Sequence, residues 1–405
     1  MQERALLIDI VDLGSDPKEA ELRLNELDSL VKTYGGVSVL KVYQKRAKPA
    51  YRTYVGEGKI KELLDELGGA DGVDVIILNN ILKPRQIYNL EEICTNYEIE
   101  RLKSQGRFET PRKIKVWDRV DLILKIFDKH AVTAEAKLQI ELASIKHMGP
   151  RIFGMGLELS RQAGGIGTVG IGETNIEIMK RHLQKRTKLI EEKITNYGEI
   201  QRRQRETRKD RNTRTVALAG YTNAGKSTLI KALTKKKDVY IADELFATLD
   251  SKVGELFTQR FTSPSQTESY EDYSKKPKFM IADTIGFIQD LPPDLIKAFK
   301  TTLAEIVDAD LILHVIDVND INIHLKIRVV EEILDELLGE KKTPKIYVFN
   351  KADLISSKPW QEEDRQKYLD ELCFRYAHFQ PRVVSALDPS SLAGLIDNIA
   401  NTQFY

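Results

Sequence analysis

The sequence predicts an α/β protein with an N-terminal parallel-sheet α/β domain and a long antiparallel helical hairpin, followed by a doubly wound α/β domain. Apolar runs alternate with amphipathic stretches at both ends of the chain, as is typical of right-handed βαβ units. Apolar residues in the middle recur every three or four positions, which is typical of helices. The chain has 405 residues, of which 41% are hydrophobic and 30% charged, enough for about two or three folded domains.

The N-terminal domain is placed at residues 1–129. Strands are predicted at 5–11, 37–43, 73–79 and 113–117. Amphipathic segments separate these strands, and a further helix is expected near 118–128. Strands that are joined by helices run in the same direction, so the four strands are expected to form a parallel sheet.

A helical hairpin is predicted at residues 130–212, where apolar side chains form two stripes. The first stripe contains Ala131, Ala134, Leu138, Leu142 and Ile145. The second contains Ile176, Met179, Leu183, Thr187, Ile190, Ile194 and Tyr197. Narrow stripes suit two helices that pack on each other, and equally two helices that pack on the neighbouring sheet.

The segment between the two stripes, residues 149–172, contains eight glycines and predicts a loop without regular structure. A glycine-rich linker would also explain this composition. The segment holds Arg151, Arg161 and Gln162, however, and has Ile and Phe where a linker has Ser. We therefore favour a functional loop over a spacer.

Charge is distributed unevenly along the chain. Residues 101–215 contain 26 Lys and Arg against 14 Asp and Glu, a net charge of +12, whereas the whole chain carries +1. This excess favours a polyanionic partner for the middle segment, although a solvated pair of long helices can be equally basic without binding anything.

Cysteine content and hydropathy indicate the compartment. Cys94 and Cys373 are the only cysteines, which excludes a disulfide framework and a cysteine-based metal site and favours a reducing environment. The N-terminus is unlike a signal peptide, and no run of about 18 apolar residues occurs. We expect a cytoplasmic protein with no membrane partner and take a monomer as the default.

The C-terminal domain is placed at residues 213–405. Its five predicted strands are RTVALAG, KFMIAD, LILHVID, KIYVFNK and RVVSA. Helical segments separate them, so we expect a doubly wound sheet.

A phosphate-binding motif follows the first of these strands. Residues 220–227 fit G-x-x-x-x-G-K-[ST], in which backbone N–H groups and a helix N-terminus hold the phosphates. Lys226 is expected to reach the β and γ oxygens, and the Ser227 hydroxyl to bind Mg²⁺. The predicted contacts are Gly220, Tyr221, Thr222, Asn223, Ala224, Gly225, Lys226, Ser227 and Thr228.

A second motif, Asp283-Thr284-Ile285-Gly286, ends the strand KFMIAD. Its carboxylate is expected to hold Mg²⁺ through water, and its glycine N–H is available to the γ-phosphate. Further contacts are predicted at Leu245, Phe246, Ala247, Thr248 and Leu249. Thr248 is the candidate that closes on Mg²⁺, although Thr258 and Thr262 compete for this role and a structural threonine is the alternative.

Two further motifs concern the base. Asn350, Lys351 and Asp353 end the strand KIYVFNK, and a carboxylate there can accept from the N1–H and the exocyclic amine of guanine. The tripeptide Ser385, Ala386 and Leu387 follows the last strand, where a backbone N–H can meet guanine O6. Taken in order, the four motifs resemble a Ras-like P-loop G domain that binds GTP and GDP.

Two positions modify this prediction. Phe287 follows Gly286, where Ras-like proteins often have a glutamine that orients the attacking water, so slow intrinsic hydrolysis is expected. Asn223 resembles the asparagine of potassium-stimulated GTPases and is a candidate K⁺ ligand. An asparagine that satisfies its own loop is an equally good interpretation.

Almost the whole chain resembles the HflX family of ribosome-associated GTPases. The resemblance rests on YVGEGKIKEL at 54–63, the glycine-rich stretch at 149–177, LFATLD at 245–250 and DTIGFIQDLPPDLIKAF at 283–299. GIGETNIE stands where the family more usually has GPGETQLE. We favour a turn before a helix for VGEGK at 55–59, and a second phosphate loop is the alternative.

The resemblance implies a GTPase that binds the large ribosomal subunit and its RNA, and that splits or recycles ribosomes under stress. The implied RNA contacts are Arg151, Arg161, Gln162, Gly164 and Gly165. The alternative is a non-catalytic, GTP-stabilised RNA-binding module that silences the large subunit.

Overall fold

The computed structural model describes residues 2–162, 171–210, 213–234, 253–256, 278–284, 286–288, 295, 303–355 and 361–403. For residues 150–162, 171–176, 204–205 and 208–210 it describes the backbone alone. Two compact units divide the chain: unit 1 comprises 1–129 and 137–193, and unit 2 comprises 130–136 and 194–405. The three-part division expected from sequence, with boundaries near 129 and 212, stays a prediction.

Unit 1 contains a four-stranded parallel sheet. Its strands are β1 (Arg4–Val11), β2 (Val37–Lys45), β3 (Val75–Leu78) and β4 (Lys115–Asp118). They lie in the order β2-β1-β3-β4, and all three pairings are parallel. The central strands are buried because helices cover both faces of such a sheet. The four predicted strands and their parallel arrangement are confirmed.

Four helices connect or follow these strands. They are α1 (Pro17–Tyr34), α2 (Glu57–Leu67), α3 (Pro84–Ser104) and α4 (Arg119–His130). The Asp16 carboxylate accepts from the Lys18 N–H at the start of α1, and Gly35 ends that helix in the left-handed conformation, with φ 95°. Gly56 precedes the first residue of α2, and Glu57, Gly58 and Lys59 form its first turn, so the predicted helix begins within VGEGK rather than after it.

A network of polar side chains lies at the carboxyl ends of β1 and β3. Asp9 accepts from Arg23 Nε at 2.8 Å and from Asn79 Nδ2 at 3.0 Å. Asn79 Oδ1 accepts in turn from Arg119 Nη1 at 2.7 Å, and Arg119 Nη2 lies 3.1 Å from Glu26 Oε1. Two strands and two helices are thus joined through charged groups that are largely withdrawn from water.

The predicted hairpin consists of α5 (Ala134–Gln162) and α6 (Ile171–Asp210). Within unit 1, Arg186 Nε donates to Glu141 Oε1 at 2.6 Å. Within unit 2, Gln201 Nε2 donates to Glu135 Oε2 at 2.8 Å. The contacts with α5 move towards its N-terminus as α6 advances, which is the antiparallel pairing that the two apolar stripes predicted.

The predicted loop at 149–172 was wrong for most of its length. Residues 149–162 continue α5 and residues 171–172 begin α6, and residues 163–170 lie outside the described chain. A glycine inside a helix costs only about 1 kcal/mol relative to alanine. Leu, Met, Glu, Arg and Gln favour helix between the glycines, and this preference outweighs the glycines' cost.

Unit 2 is built on a six-stranded sheet. Its strands are β5 (Thr213–Gly220), β6 (Val253–Glu255), β7 (Lys278–Ala282), β8 (Leu311–Asp317), β9 (Lys345–Asn350) and β10 (Arg382–Val383). They lie in the order β10-β9-β8-β5-β7-β6, and only the β6–β7 pair is antiparallel among them. The five predicted strands are confirmed, and β6 was missed.

The described helices of unit 2 include α7 (Lys226–Leu233), α8 (Ala304–Val307), α9 (Ile323–Leu338), α10 (Ala352–Ile355), α11 (Glu362–Arg375) and α12 (Ala393–Asn401). The apolar residues of β5, β7 and β8 pack with those of α7 and α12 in one core. Within the described residues, no helix combines the length and the apolar character that a bilayer crossing requires.

Candidate functional site

The candidate site lies at the carboxyl edge of the unit 2 sheet. The strand order changes direction at β5, which has β7 on one side and β8 on the other. In open α/β sheets, ligands bind outside the carboxyl ends of the strands at such a point. The predicted phosphate loop, residues 220–225, leaves β5 at this position and leads into α7.

Two positions in this loop require glycine. A Cβ atom on Gly220 would lie 2.2 Å from the Val315 carbonyl oxygen of β8. Gly225 has a φ of 90°, and a Cβ atom there would lie 2.3 Å from Asn350 Nδ2. The motif glycines are therefore explained by close backbone approach and by left-handed geometry.

Lys226 is buried at the first turn of α7. Its ammonium donates to the carbonyl oxygens of Gly220 at 3.0 Å and Tyr221 at 2.8 Å. Burial lowers the pKa of Lys226 to about 8, although the negative charge of Asp283 opposes this shift and Lys351 adds to it. A buried cation with a lowered pKa gains stability from an arriving anion.

Ser227 and Asp283 lie next to each other at the start of α7 and the end of β7. The serine Oγ donates to Asp283 Oδ2 at 3.0 Å, and the Thr284 N–H donates to Asp283 Oδ1 at 3.0 Å. The Asp283 carboxylate is fully buried. A hydroxyl and a carboxylate oxygen that converge in this way are hard ligands of the kind that Mg²⁺ prefers, so the pair fits this ion.

The segment after Asp283 pairs directly with the phosphate loop. The Phe287 N–H donates to the Gly220 carbonyl at 3.1 Å, and the Thr222 N–H donates to the Phe287 carbonyl at 2.8 Å. Gly286 lies so close to this loop that a Cβ atom would be 2.9 Å from Thr222 Cγ2. The Phe287 side chain is 1% exposed and points into the protein, so it does not face a bound phosphate.

Asn350 connects the base motif to the phosphate loop. Its Nδ2 donates to the Ala224 carbonyl at 3.0 Å, and its Oδ1 accepts from the Ala386 N–H at 3.0 Å. The side chain is buried, which strengthens both hydrogen bonds. Asn350 therefore positions two loops at once.

The exposed Asp353 carboxylate lies beside the tripeptide at 385–387. The Ser385 hydroxyl donates to Asp353 Oδ1 at 2.6 Å and accepts from the Leu387 N–H at 3.2 Å. The Ser385 N–H donates to Ser391 Oγ at 3.0 Å. The N–H groups of 385, 386 and 387 all have partners within the protein, so a guanine O6 would share a donor or displace a partner.

Sequence reasoning missed part of this region. Lys351 has a φ of 64° and its ammonium lies 2.8 Å from Asp317 Oδ2. Asn319 Nδ2 donates to the Lys351 carbonyl at 2.8 Å. The signal that could have predicted the contact between Lys351 and Asp317 is the position of Asp317 at the carboxyl end of β8. There it lies level with Asn350 on β9.

Comparisons with known proteins cover most of the chain. The family model described as "GTP-binding GTPase N-terminal" matches residues 21–128, and "GTP-binding GTPase Middle Region" matches 130–211. The model described as "50S ribosome-binding GTPase" matches residues 215–351.

Relatives of known family extend over both units. The GTPase HflX of Caldanaerobacter subterraneus subsp. tengcongensis is 41% identical over 358 residues, which is 88% of this chain and 74% of the relative. The GTPase HflX of Escherichia coli is 35% identical over 353 residues, 87% of this chain and 74% of that protein. The chain belongs to the HflX family of GTPases. It is therefore a GTP hydrolase that binds GTP and GDP.

The fold of this HflX GTPase also resembles a solved structure. The crystal structure of SsGBP in complex with GDP has a TM-score of 0.51 and 23% sequence identity, and the match covers 98% of this chain and 97% of that one. At this identity the likeness concerns the fold alone.

Some of the predicted HflX site residues lie outside the described chain. They are Leu245, Phe246, Ala247, Thr248, Leu249, Ile285, Gly164 and Gly165. Arg151, Arg161 and Gln162 belong to the helical backbone of α5, and their side chains are not described. The described contacts of Gly220, Lys226, Ser227, Asp283 and Asn350 bring the phosphate, metal and base motifs to one edge of one sheet.

Proposed function

We propose that this GTPase acts on the large ribosomal subunit in the cytoplasm, and that it couples GTP binding and hydrolysis to ribosome splitting or recycling under stress. The observation that carries the proposal is the match of residues 215–351 to the family described as a 50S ribosome-binding GTPase. HflX membership and the net charge of +12 over residues 101–215 support it.

The phosphates are bound by the backbone N–H groups of residues 220–227 and by Lys226, which carries a positive charge to the β and γ oxygens. Ser227, Thr248 and Asp283, the last through water, are the residues that hold Mg²⁺. When bound, the ion neutralises charge on the phosphate oxygens. The described 3.0 Å contact between Ser227 Oγ and Asp283 Oδ2 supports two of these three assignments.

Guanine is selected by Asp353, whose carboxylate accepts from the N1–H and the exocyclic amine. Adenine presents an acceptor at N1 and is rejected by the same carboxylate. Asn350 supports the base pocket through its two hydrogen bonds rather than through a charge. Together these residues favour GTP over ATP.

Hydrolysis without a partner is slow in this proposal. The buried Phe287 does not face the site, and none of the residues assigned to it is a general base. Ribosome binding therefore has to order the attacking water or supply a missing group. Slow intrinsic turnover with strong stimulation is the kinetic consequence.

RNA contact is assigned to the N-terminal domain and to the glycine-rich segment at 149–172, which includes the end of α5. The assigned residues are Arg151, Arg161, Gln162, Gly164 and Gly165. Exposed cations on α6, including Arg181 and Lys185, extend the positive surface toward an RNA backbone.

The test is steady-state GTP hydrolysis by the full chain with and without purified large subunits. Stimulation should be strong for the wild type and should be lost when Arg151 and Arg161 are both changed to Glu. Arg202→Glu, which reverses a charge on the C-terminal half of α6, is the matched control and should keep the stimulation. Failure of large subunits to stimulate hydrolysis would remove the ribosome from the proposal and leave the GTPase assignment intact.

A second candidate function is silencing of the large subunit by a GTP-stabilised RNA-binding module. The buried Phe287 favours it, because weak hydrolysis suits a stable bound state. Lys226→Ala, measured at saturating GTP, distinguishes the two. Splitting requires that this variant still binds subunits yet no longer separates or leaves them, whereas silencing requires that it inhibits subunit joining like the wild type.

K⁺ stimulation is a smaller part of the proposal. Asn223 is exposed in the phosphate loop and has a φ of 61°, so its amide is accessible while its backbone occupies a turn. If Asn223 helps to hold K⁺, turnover in K⁺ should exceed turnover in Na⁺, and Asn223→Ala should abolish the difference. Equal rates in the two salts would eliminate this role.

A further inference from the structure

A group of two carboxylates and one imidazole lies in unit 1, apart from the nucleotide motifs. Asp118 and Asp121 are buried, and His147 is largely buried. His147 Nε2 lies 3.1 Å from Asp118 Oδ1 and 3.5 Å from Asp121 Oδ1. One ligand atom from each residue lies within 4.8 Å of the others.

Four parts of the fold meet at this group. Asp118 ends β4, and Asp121 lies in the first turn of α4. His147 comes from α5, and Leu82, which follows β3, contributes a backbone N–H. The group therefore joins the first hairpin helix to the carboxyl edge of the sheet.

Backbone donors orient both carboxylates. Asp118 Oδ2 accepts from the Leu82 N–H at 3.2 Å, and Asp121 Oδ2 accepts from the Asp118 N–H at 3.2 Å. The Asp121 N–H donates to Asp118 Oδ1 at 2.9 Å. These bonds form a reciprocal cap at the start of α4 and turn the Oδ1 atom of each aspartate toward the imidazole. Fixed outer partners of this kind are what metal-binding carboxylates require.

The simpler interpretation is a helix cap with a neighbouring histidine. That interpretation does not explain why two carboxylate oxygens lie close to one imidazole nitrogen. Nε2 carries at most one proton, so it can donate along one direction only. Two carboxylate oxygens nevertheless converge on it, at 3.1 and 3.5 Å. A divalent cation among the three atoms binds both oxygens and the nitrogen lone pair together.

The separations fit a tetrahedral ion. Zinc binds imidazole nitrogen and carboxylate oxygen at about 2.0–2.2 Å, which gives ligand-to-ligand edges of about 3.3–3.6 Å. The 3.5 Å separation from Asp121 lies within this range, and the 3.1 Å separation from Asp118 is slightly shorter. Imidazole favours zinc over Mg²⁺ or Ca²⁺, which prefer oxygen ligands throughout.

The geometry points to a Zn²⁺ site formed by Asp118, Asp121 and His147, with the fourth position taken by water or another donor. Such an ion cross-links α5 to the β4–α4 junction and fixes the first hairpin helix on the N-terminal sheet. Its role is structural and independent of GTP chemistry, so it stands or falls separately from the proposed function.

The test uses the full chain, stripped with a chelator and then saturated with Mg²⁺ and GDP so that the nucleotide site is occupied. We expect one Zn²⁺ per chain by mass spectrometry of the metal content, and a Co²⁺ visible spectrum of tetrahedral intensity that Zn²⁺ displaces. Zn²⁺ should also raise the thermal midpoint by several degrees, because an ion that binds only the folded state stabilises it.

His147→Lys discriminates between an ion pair and a metal site. Lysine keeps a positive charge beside the carboxylates but does not ligate zinc well. The variant should bind Zn²⁺ at least about tenfold more weakly and should lose the thermal shift. Asp121→Asn, which retains an oxygen for the helix cap, should do the same, and the exposed His182→Gln should behave like the wild type.

Two outcomes would overturn the proposal. The first is the absence of zinc binding beyond the Mg²⁺ and GDP site, with His147→Lys as stable as the wild type, which would leave an ion pair only. The second is stoichiometric zinc binding that survives both substitutions, which would place the metal elsewhere. If neither variant folds, a wild-type Co²⁺ spectrum without tetrahedral intensity decides against the site.

Discussion

The two sheets carry different chemistry at equivalent edges. In unit 1, polar side chains at the carboxyl ends of the strands bind one another, as Asp9 binds Arg23 and Asn79 binds Arg119. In unit 2, the same edge carries a glycine-rich loop whose backbone approaches other strands closely. The polar side chains at the ends of β1 and β3 thus satisfy one another, whereas the loop that follows β5 offers backbone amides to a ligand.

The charge balance of the two edges also differs. Arg119 is 3% exposed and has Glu26 as a charged partner at 3.1 Å. Lys226 is buried with carbonyl oxygens as hydrogen-bond partners, and burial lowers its pKa to about 8. Because burial destabilises the charged form of Lys226, a bound phosphate should stabilise Lys226 more than it would stabilise Arg119. Three predictions test this contrast, and a fourth concerns a cluster of charged groups elsewhere in unit 2.

The largest effect is expected at Lys226. Lys226→Met keeps the length of the side chain and removes the charge, so GTP turnover should fall by about 1000-fold, or about 4 kcal/mol of barrier. The measurement is steady-state phosphate release at saturating GTP. Lys231→Met, at an exposed position of the same helix, is the control and should change the rate less than about twofold. A loss below tenfold would contradict an electrostatic role at this edge.

The next effect concerns the polar network at the ends of β1 and β3 in unit 1. Arg119→Met should reduce the free energy of unfolding of unit 1 by about 3 kcal/mol, because it leaves Glu26 and Asn79 without a buried cation. Urea unfolding followed by tryptophan fluorescence reports it, since Trp117 lies in β4. Exposed Lys103→Met should change stability by less than about 0.5 kcal/mol. If Arg119→Met weakened GDP affinity and left the unfolding curve unchanged, the edge would be a binding site after all.

A smaller effect is expected for base selection. Asp353→Asn should lower GTP affinity by about 100-fold, because an amide donor then faces the donors of guanine. Affinity for xanthosine triphosphate should rise, since xanthine presents an acceptor where guanine has its amine. Binding competition with labelled GDP measures both. Exposed Asp364→Asn on α11 is the control, and equal losses in the two variants would argue against a specific contact.

The smallest effect is a dependence of stability on pH. Burial alone would raise the pKa of Glu331, but hydrogen bonds from His314 at 2.8 Å and Lys345 at 2.5 Å outweigh it and lower that pKa to about 2. Burial also lowers the pKa of His314, although its hydrogen bond with Glu331 opposes this shift.

Because the folded pKa of Glu331 lies below the unfolded value, its contribution is present above about pH 4.5 and is lost as the pH falls toward 2. Glu331→Gln should cost about 2 kcal/mol at pH 6, and the difference from wild type should shrink steadily between pH 4.5 and 2.5. Urea midpoints at four pH values measure it. A difference that stays constant with pH, as expected for the exposed Glu336→Gln, would show that Glu331 is not charge-stabilised.

The sequence predicted the fold well where local pattern and packing agree. All nine strands of the two predicted sheets are present in the described chain, because each is an apolar run bounded by polar or turn residues. The missed strand β6 is three residues long and pairs at an edge, which leaves no periodic signal. The glycine-rich segment was misjudged because residues 149–162 have neighbours that favour helix.

The candidate site was predictable as motifs but not as contacts. Lys226, Ser227 and Asp283 followed from spacing alone, and the structure brings them together. The bonds of Asn350 to residues 126 and 36 positions away depend on tertiary packing, which no local pattern encodes. The same holds for Asp9 and Asn79, which are 70 residues apart in the chain.

Asn350 couples the motion of the phosphate loop to the motion of the loop at 385–387. Its amide group binds the Ala224 carbonyl and the Ala386 N–H, so neither loop can open without disturbing the other. The Ala386 backbone proton should therefore exchange with deuterium at a rate set by the joint opening of both loops. Hydrogen exchange at this one amide therefore reports the rate at which the nucleotide site opens. It can be measured without labelling the phosphate or the base of the nucleotide.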